Sequence, residues 1–168
     1  MNFQVTKKFY LQAGHVCIPY KESLLHGVVG SGIIVTVYDH LKKIGGMGHF
    51  LKAEDDDKKE VTLYHARPSI YYLLKLFEKH GSRKINLEAN IYGGAFNINH
   101  INYKKDLHKI NISKTEKILK DKGIRIHSKD VGGKRGRKII FNTFSGETVV
   151  AKVNQIRNSD WYPNVSSL

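Results

Sequence analysis

A chain of 168 residues is the size of one domain, or of one domain with a short tail. With 40% hydrophobic and 26% charged residues it can bury a core of its own, which excludes a disordered or collagen-like chain. The formal charge of +13, from 28 Lys and Arg against 15 Asp and Glu, favours an anionic partner without choosing among nucleic acid, membrane surface and acidic protein.

A single cysteine, Cys17, excludes an internal disulfide framework and a multi-cysteine zinc site, and fits a reducing compartment. No stretch approaches the roughly 18 apolar residues of a membrane span. The opening MNFQVTKKFYLQAG lacks the apolar run of a secretory signal, so the expected location is the cytoplasm. The nine histidines show no metal-ligand spacing, and no metal or other cofactor is expected.

In chain order, residues 3–11 alternate loosely and read as an edge strand. The β-branched run Ile33, Ile34, Val35, Thr36, Val37 reads as a strand buried on both faces. Two glycine-rich segments bracket it, Gly27, Gly30 and Gly32 before and Gly45, Gly46 and Gly48 after, which points to close backbone approach. The charged stretch 54–60 reads as an exposed loop.

Pro68 opens a helix in which Ile70, Leu73, Leu74 and Phe77 follow the i, i+3, i+4, i+7 spacing and Gly81 ends it. A strand over Ile85–Tyr92 runs into Gly93 and Gly94. Ser113 and Glu116 form a capping box for a second helix that carries Ile118 and Leu119 and stops at Gly123. Ile124–His127, Lys138–Asn142 and Glu147–Val153 read as strands, the last two joined by a turn at Ser145 and Gly146. The order of elements is mixed α+β, with a domain over 1–153 and an irregular tail over 154–168.

Three segments carry a resemblance: GVVGSGIIVTVYDHLKKIGGMGHF at 27–50, LEANIYGGAFN at 87–97 and DVGGKRGRKIIFNTFSGE at 130–147. They resemble the CheD family of chemoreceptor glutamine deamidases, in matching order and spacing from about residue 10 to 153. The resemblance implies a β-sheet sandwich flanked by helices. It also implies a cysteine–histidine pair that hydrolyses glutamine amides on receptor cytoplasmic domains. In such chemistry a thiolate attacks the carboxamide carbon, ammonia leaves, and water hydrolyses the thioester while the histidine shuttles the proton.

At the family's nucleophile position this chain has Gly32, which carries no attacking atom; the family base falls on His49. The family threonine six residues before the cysteine falls on His26, and the Leu-Pro after the histidine segment is Lys52 and Ala53. Changes thus cluster at the site while the scaffold motifs remain. Substitute nucleophiles are poorly placed: Cys17 reads as a small buried hydrophobe, and strand alternation turns Ser31 toward the opposite face.

In the DVGGKRGRK loop, Gly132, Gly133 and Gly136 let the chain turn between strands and Arg135 and Arg137 can pair with a carboxylate, a structural role that is favoured because the loop fixes the entry to a strand; in the functional alternative the basic loop meets acidic receptor helices or pairs with Asp130 across the turn. The expected function is a chemotaxis protein that binds receptor cytoplasmic domains, a CheC- or CheX-type phosphatase, or both, without deamidase activity. Two alternatives stand beside it. One is an active deamidase, with a native Cys at position 32 or another group serving. The other is a basic nucleic-acid-binding domain, which rests on charge alone, without a helix-turn-helix, zinc-finger or RNP-like signature.

Overall fold

The computed structural model describes residues 6–53, 62–96 and 106–161. The charged stretch 54–60 lies outside the described residues. Among the described residues nine strands form two sheets. Strands β1 (Lys7–Leu11), β3 (Ser23–Val29), β8 (Gly136–Asn142) and β9 (Thr148–Val153) lie in that order in one. The other runs β2 (His15–Cys17), β5 (Ile44–Phe50), β4 (Ile33–Asp39), β6 (Leu87–Gly93) and β7 (Arg125–Val131). β1–β3 and β6–β7 pair in parallel, and every other neighbour is antiparallel. Helices α1 (Ala66–Lys79) and α2 (Leu107–Asp121) pack on the outer face of the five-stranded sheet, and a short helix, α3 (Asn158–Trp161), ends the described chain.

The layers follow from alternation along β4, the centre of the five-stranded sheet. Ile33, Val35 and Val37 meet Ile70, Leu73 and Phe77 of α1 and Ile118 and Leu119 of α2. Ile34 points the other way, into the space between the sheets, with Met47, Leu25, Ile139 and Phe141. As the sequence predicts, a strand buried on both faces is therefore a β-branched run that is apolar except at Thr36, whose hydroxyl accepts from Asn90 Nδ2 at 3.3 Å.

The second glycine-rich segment proves to be strand β5, whereas of the first only Gly27 lies on a strand and Gly30 and Gly32 stand in the β3–β4 turn. On β5, Met47 fills the space between the sheets, while a Cβ at Gly46 would lie 3.0 Å from Leu73 Cδ1 and one at Gly48 would lie 3.0 Å from Ser69 Oγ. The glycines let α1 press directly on the strand backbone. Helix α1 matches its predicted apolar spacing and is followed by Gly81 at φ +72°. The strand predicted from Ile85 begins at Leu87, after a single 3₁₀ turn at Lys84–Asn86.

The capping box at Ser113 and Glu116 is not realised. Helix α2 starts at Leu107, and Ser113 sits inside it with its hydroxyl donating to the Ile110 carbonyl. A Ser can return its hydroxyl to the preceding turn, so the box pattern alone does not mark a helix start. Among the described residues no helix is long and apolar enough to cross a membrane.

Candidate functional site

The three resembling segments meet at one end of the sandwich. Gly94 N–H donates to the Gly32 carbonyl at 2.8 Å and Ala95 N–H to the Gly30 carbonyl at 2.9 Å, which ties the β3–β4 turn to the end of β6. Gly132 N–H donates to the Gly93 carbonyl at 2.9 Å, and Phe96 N–H to the Gly133 carbonyl at 2.7 Å, which adds the loop before β8. Between these segments lies a cavity of about 610 Å³. The β3–β4 turn contributes Gly30, Ser31 and Gly32, and the end of β5 contributes His49 and Leu51. Lys134 comes from the loop before β8, and Asn154–Ile156 complete the wall.

Asn111 of α2 holds this end together. Its side chain is fully buried; Nδ2 donates to the carbonyls of Ser31 and Leu51, each at 2.9 Å, and Oδ1 accepts from Ala53 N–H at 2.8 Å. One amide thereby fixes both the turn that carries Gly32 and the chain just beyond His49. No motif singles out Asn111 in the sequence, although a signal is present: Asn111, Thr115, Ile118 and Leu119 form the buried stripe of α2 at i, i+4, i+7, i+8. A lone Asn on such a stripe must find partners across the interface.

His49 is 1% exposed, near the end of β5 and opposite His15 of β2. Burial pushes its imidazole down to about 4; a hydrogen bond to the Leu11 backbone opposes this, and His15 nearby adds to it. At neutral pH the ring is therefore uncharged, and the burial that keeps it so also makes it a weak proton acceptor.

Gly32 leaves no room for a side chain. A Cβ there would stand 2.7 Å from the Phe50 carbonyl oxygen, closer than packed atoms approach, and the obstacle is backbone that cannot rotate away. The chain has closed into the space a nucleophile's first carbon would occupy.

The other predicted residues are distributed differently. His26 faces the outside of the four-stranded sheet, stacked on Tyr10 at 4.7 Å between ring centres and bordering a separate groove with Lys138. Burial and the charges of Lys8 and Lys138 lower its pKa. Strand alternation explains the separation, because Leu25 and Gly27 on either side point inward. Ser31 stands in the turn and lines the cavity, so the alternation that would turn it to the opposite face does not apply. Cys17 lies on β2 against the inter-sheet core, outside the cavity lining, and burial pushes its thiol up.

Arg135 is exposed, as a partner-binding residue requires. Arg137 is not available for that role: its side chain is 3% exposed, and its guanidinium is spent on Asp130 Oδ1 and the Arg135 carbonyl. Lys52 and Ala53 follow the cleft, with Ala53 held by Asn111. Among the described residues no three of His, Cys, Asp or Glu are grouped to hold a metal ion.

Comparison with known proteins bears on this arrangement. Residues 51–152 match the family model described as CheD chemotactic sensory transduction, a span that begins just after His49 and covers most of the chain. A "Probable chemoreceptor glutamine deamidase CheD" of Methanococcus vannielii is 30% identical over 150 residues, 88% of this chain and 97% of that protein. The protein of the same name from Clostridium novyi is 35% identical over 143 residues, 83% of this chain and 88% of the relative. In Anaeromyxobacter dehalogenans, "Probable chemoreceptor glutamine deamidase CheD 1" is 28% identical over 144 residues, 86% of this chain and 84% of the relative. With the sandwich, its helices and the convergence of the three segments, these matches establish that the chain belongs to the CheD family of chemotaxis proteins.

Proposed function

We propose that this CheD-family protein acts in chemotaxis by binding chemoreceptor cytoplasmic domains, a CheC- or CheX-type phosphatase, or both, and that it does not hydrolyse glutamine amides. The observation that carries the reading is Gly32. A Cys–His hydrolase needs a thiolate within reach of its base, and here the position has no side chain and is shut by the Phe50 carbonyl. His49 and the cavity remain, a concave surface suited to holding a side chain without cutting it. The relatives' names supply the partner class, and the exposed Arg135 and Lys134 beside the cleft supply positive charge for an acidic helix.

The test is mass spectrometry of receptor cytoplasmic fragments after incubation with this protein, with a pull-down of the same fragments and of the phosphatase alongside. The expected result is retention of at least one partner with every glutamine intact. Conversion of glutamine to glutamate by the protein as it stands would overturn the loss of activity and make Ser31, which lines the cavity, the first substitute to examine. Failure to retain any partner would overturn the binding role. A Gly32→Cys version is the companion arm. Conversion by that variant alone would show that His49 and the cleft keep their competence.

A further inference from the structure

The cavity beside Gly32 and His49 owes one wall to a segment outside the nine-stranded fold. After β9 ends at Val153, the chain passes back over the four-stranded sheet, with Ile156 over Gly30 and Gly136, Asp160 on Lys138 and α3 against β3. Asn154, Gln155 and Ile156 line the cavity. Residues 154–161 also lie beyond the span matched by the family model, which ends at residue 152.

Among the described side chains, two attachments hold the segment down. Ile156 sits over two glycines: a Cβ at Gly30 would meet only Ile156, at 3.3 Å, and one at Gly136 would come within 3.1 Å of it. The bare backbone at these positions makes the seat. Four residues on, Asp160 receives Lys138 Nζ at 2.7 Å and caps its own turn by accepting from Arg157 N–H at 2.8 Å. No strand ladder ties the segment to either sheet. Among the described side chains the segment is held by one apolar contact and one ion pair, beside the approach of α3 to β3, an attachment of the kind that opens locally while the core stays folded.

We propose that residues 154–160 are a detachable strap that controls access to the Gly32–His49 cleft, seated by Ile156 and latched by Asp160 on Lys138. In the closed form the strap narrows the cleft; released, it leaves the Gly30–Gly32 turn and His49 open to a partner's side chain. The inference concerns access and holds whichever chemistry the cleft retains.

The experiment uses the full chain with Cys17→Ala and Ser31→Cys, so that one thiol reports on the cleft, and N-ethylmaleimide as the probe. The alkylation rate is compared with that of the same protein carrying Ile156→Ser and Asp160→Lys, which removes the seat and sets Lys138 against a like charge. Hydrogen exchange across 154–161 is followed in both. The strap predicts at least tenfold faster alkylation in the released variant together with lost protection of the segment. An unchanged rate with protection lost would show that the segment does not control access. Protection retained would show that Ile156 and Asp160 are not what holds it.

Should the released variant fail to fold, the unreleased protein decides the matter. The amides of Arg157 and Asp160 are then expected to exchange faster than those of β8, and faster still at high salt, which screens the latch. Exchange of these amides only with global unfolding would overturn the proposal.

Discussion

Arg137 donates twice to Asp130 Oδ1, from Nη2 at 2.9 Å and from Nε at 3.3 Å, across the turn that joins β7 to β8. The guanidinium is buried while the carboxylate is about a third exposed, with Lys152 Nζ 3.6 Å away. Losing either partner does unequal harm, because an uncompensated charge is worse the deeper it lies.

Asp130→Ala should therefore destabilise the fold by about 2–3 kcal/mol, since it strands a buried guanidinium. Chemical denaturation of the variant beside the unmodified protein measures this directly. A loss no larger than that of an ordinary surface substitution would mean that Arg137 finds solvent or another acceptor.

Asn111→Ala removes three hydrogen bonds at once and leaves the carbonyls of Ser31 and Leu51 and the amide of Ala53 without their partner. At about 1 kcal/mol for each bond, the expected loss is about 3 kcal/mol. Hydrogen exchange should locate the damage, with Ala53 N–H losing protection ahead of the β4 amides. Uniform loosening of the whole chain would contradict the role given to Asn111 in holding the cleft.

His49 makes stability depend on pH in a defined direction. Its pKa lies near 6.5 in the unfolded chain and about 4 in the fold, so between these values the unfolded chain binds the extra proton. Stability should be fully present above pH 6.5, fall as pH drops through this window and level off below about 4. The slope attributable to this residue is at most about 1.4 kcal/mol per pH unit. His26 is lowered as well, by burial and by Lys8 and Lys138, and contributes in the same sense. His49→Gln should flatten the acid limb of a urea-denaturation series while His26→Gln leaves most of it. An equal slope with and without His49 would refute the assignment.

The sequence made some of this structure legible and hid the rest for identifiable reasons. The run from Ile33 to Val37 could be read as a fully buried strand because both of its faces meet apolar layers, and α1 because its four apolar side chains share one face. The hairpin of β8 and β9 was readable from its turn, where Gly146 takes φ +76°. Strand β5 is not legible as a strand because its three glycines remove the alternating side chains that reveal one, and β3 because Gly27 interrupts its inward positions. Those glycines exist for neighbours distant in sequence, such as Leu73 on α1. The start of α2 was misplaced because the Ser113 and Glu116 pattern also fits the interior of a helix.

At the site, spacing by resemblance places Gly32 and His49 on one cleft but says nothing about the face of β3 on which His26 lies. It is also silent on Asn111, whose partners are backbone groups that leave no mark on sequence. The strap was legible only as a tail, since its seat is an absence of side chains at Gly30 and Gly136.

The β3–β8 ladder pairs Leu24 with Asn142 and Val29 with Arg137, residues more than a hundred positions apart. During synthesis, β3 and its parallel neighbour β1 leave the ribosome early and have no antiparallel partner until almost the whole chain has followed. Their inward residues, Leu11, Leu25 and Val29, stay wet for that interval. The four-stranded sheet is therefore the late and aggregation-exposed half of folding, and a nascent chain that stalls before residue 136 holds a sticky, half-built sheet.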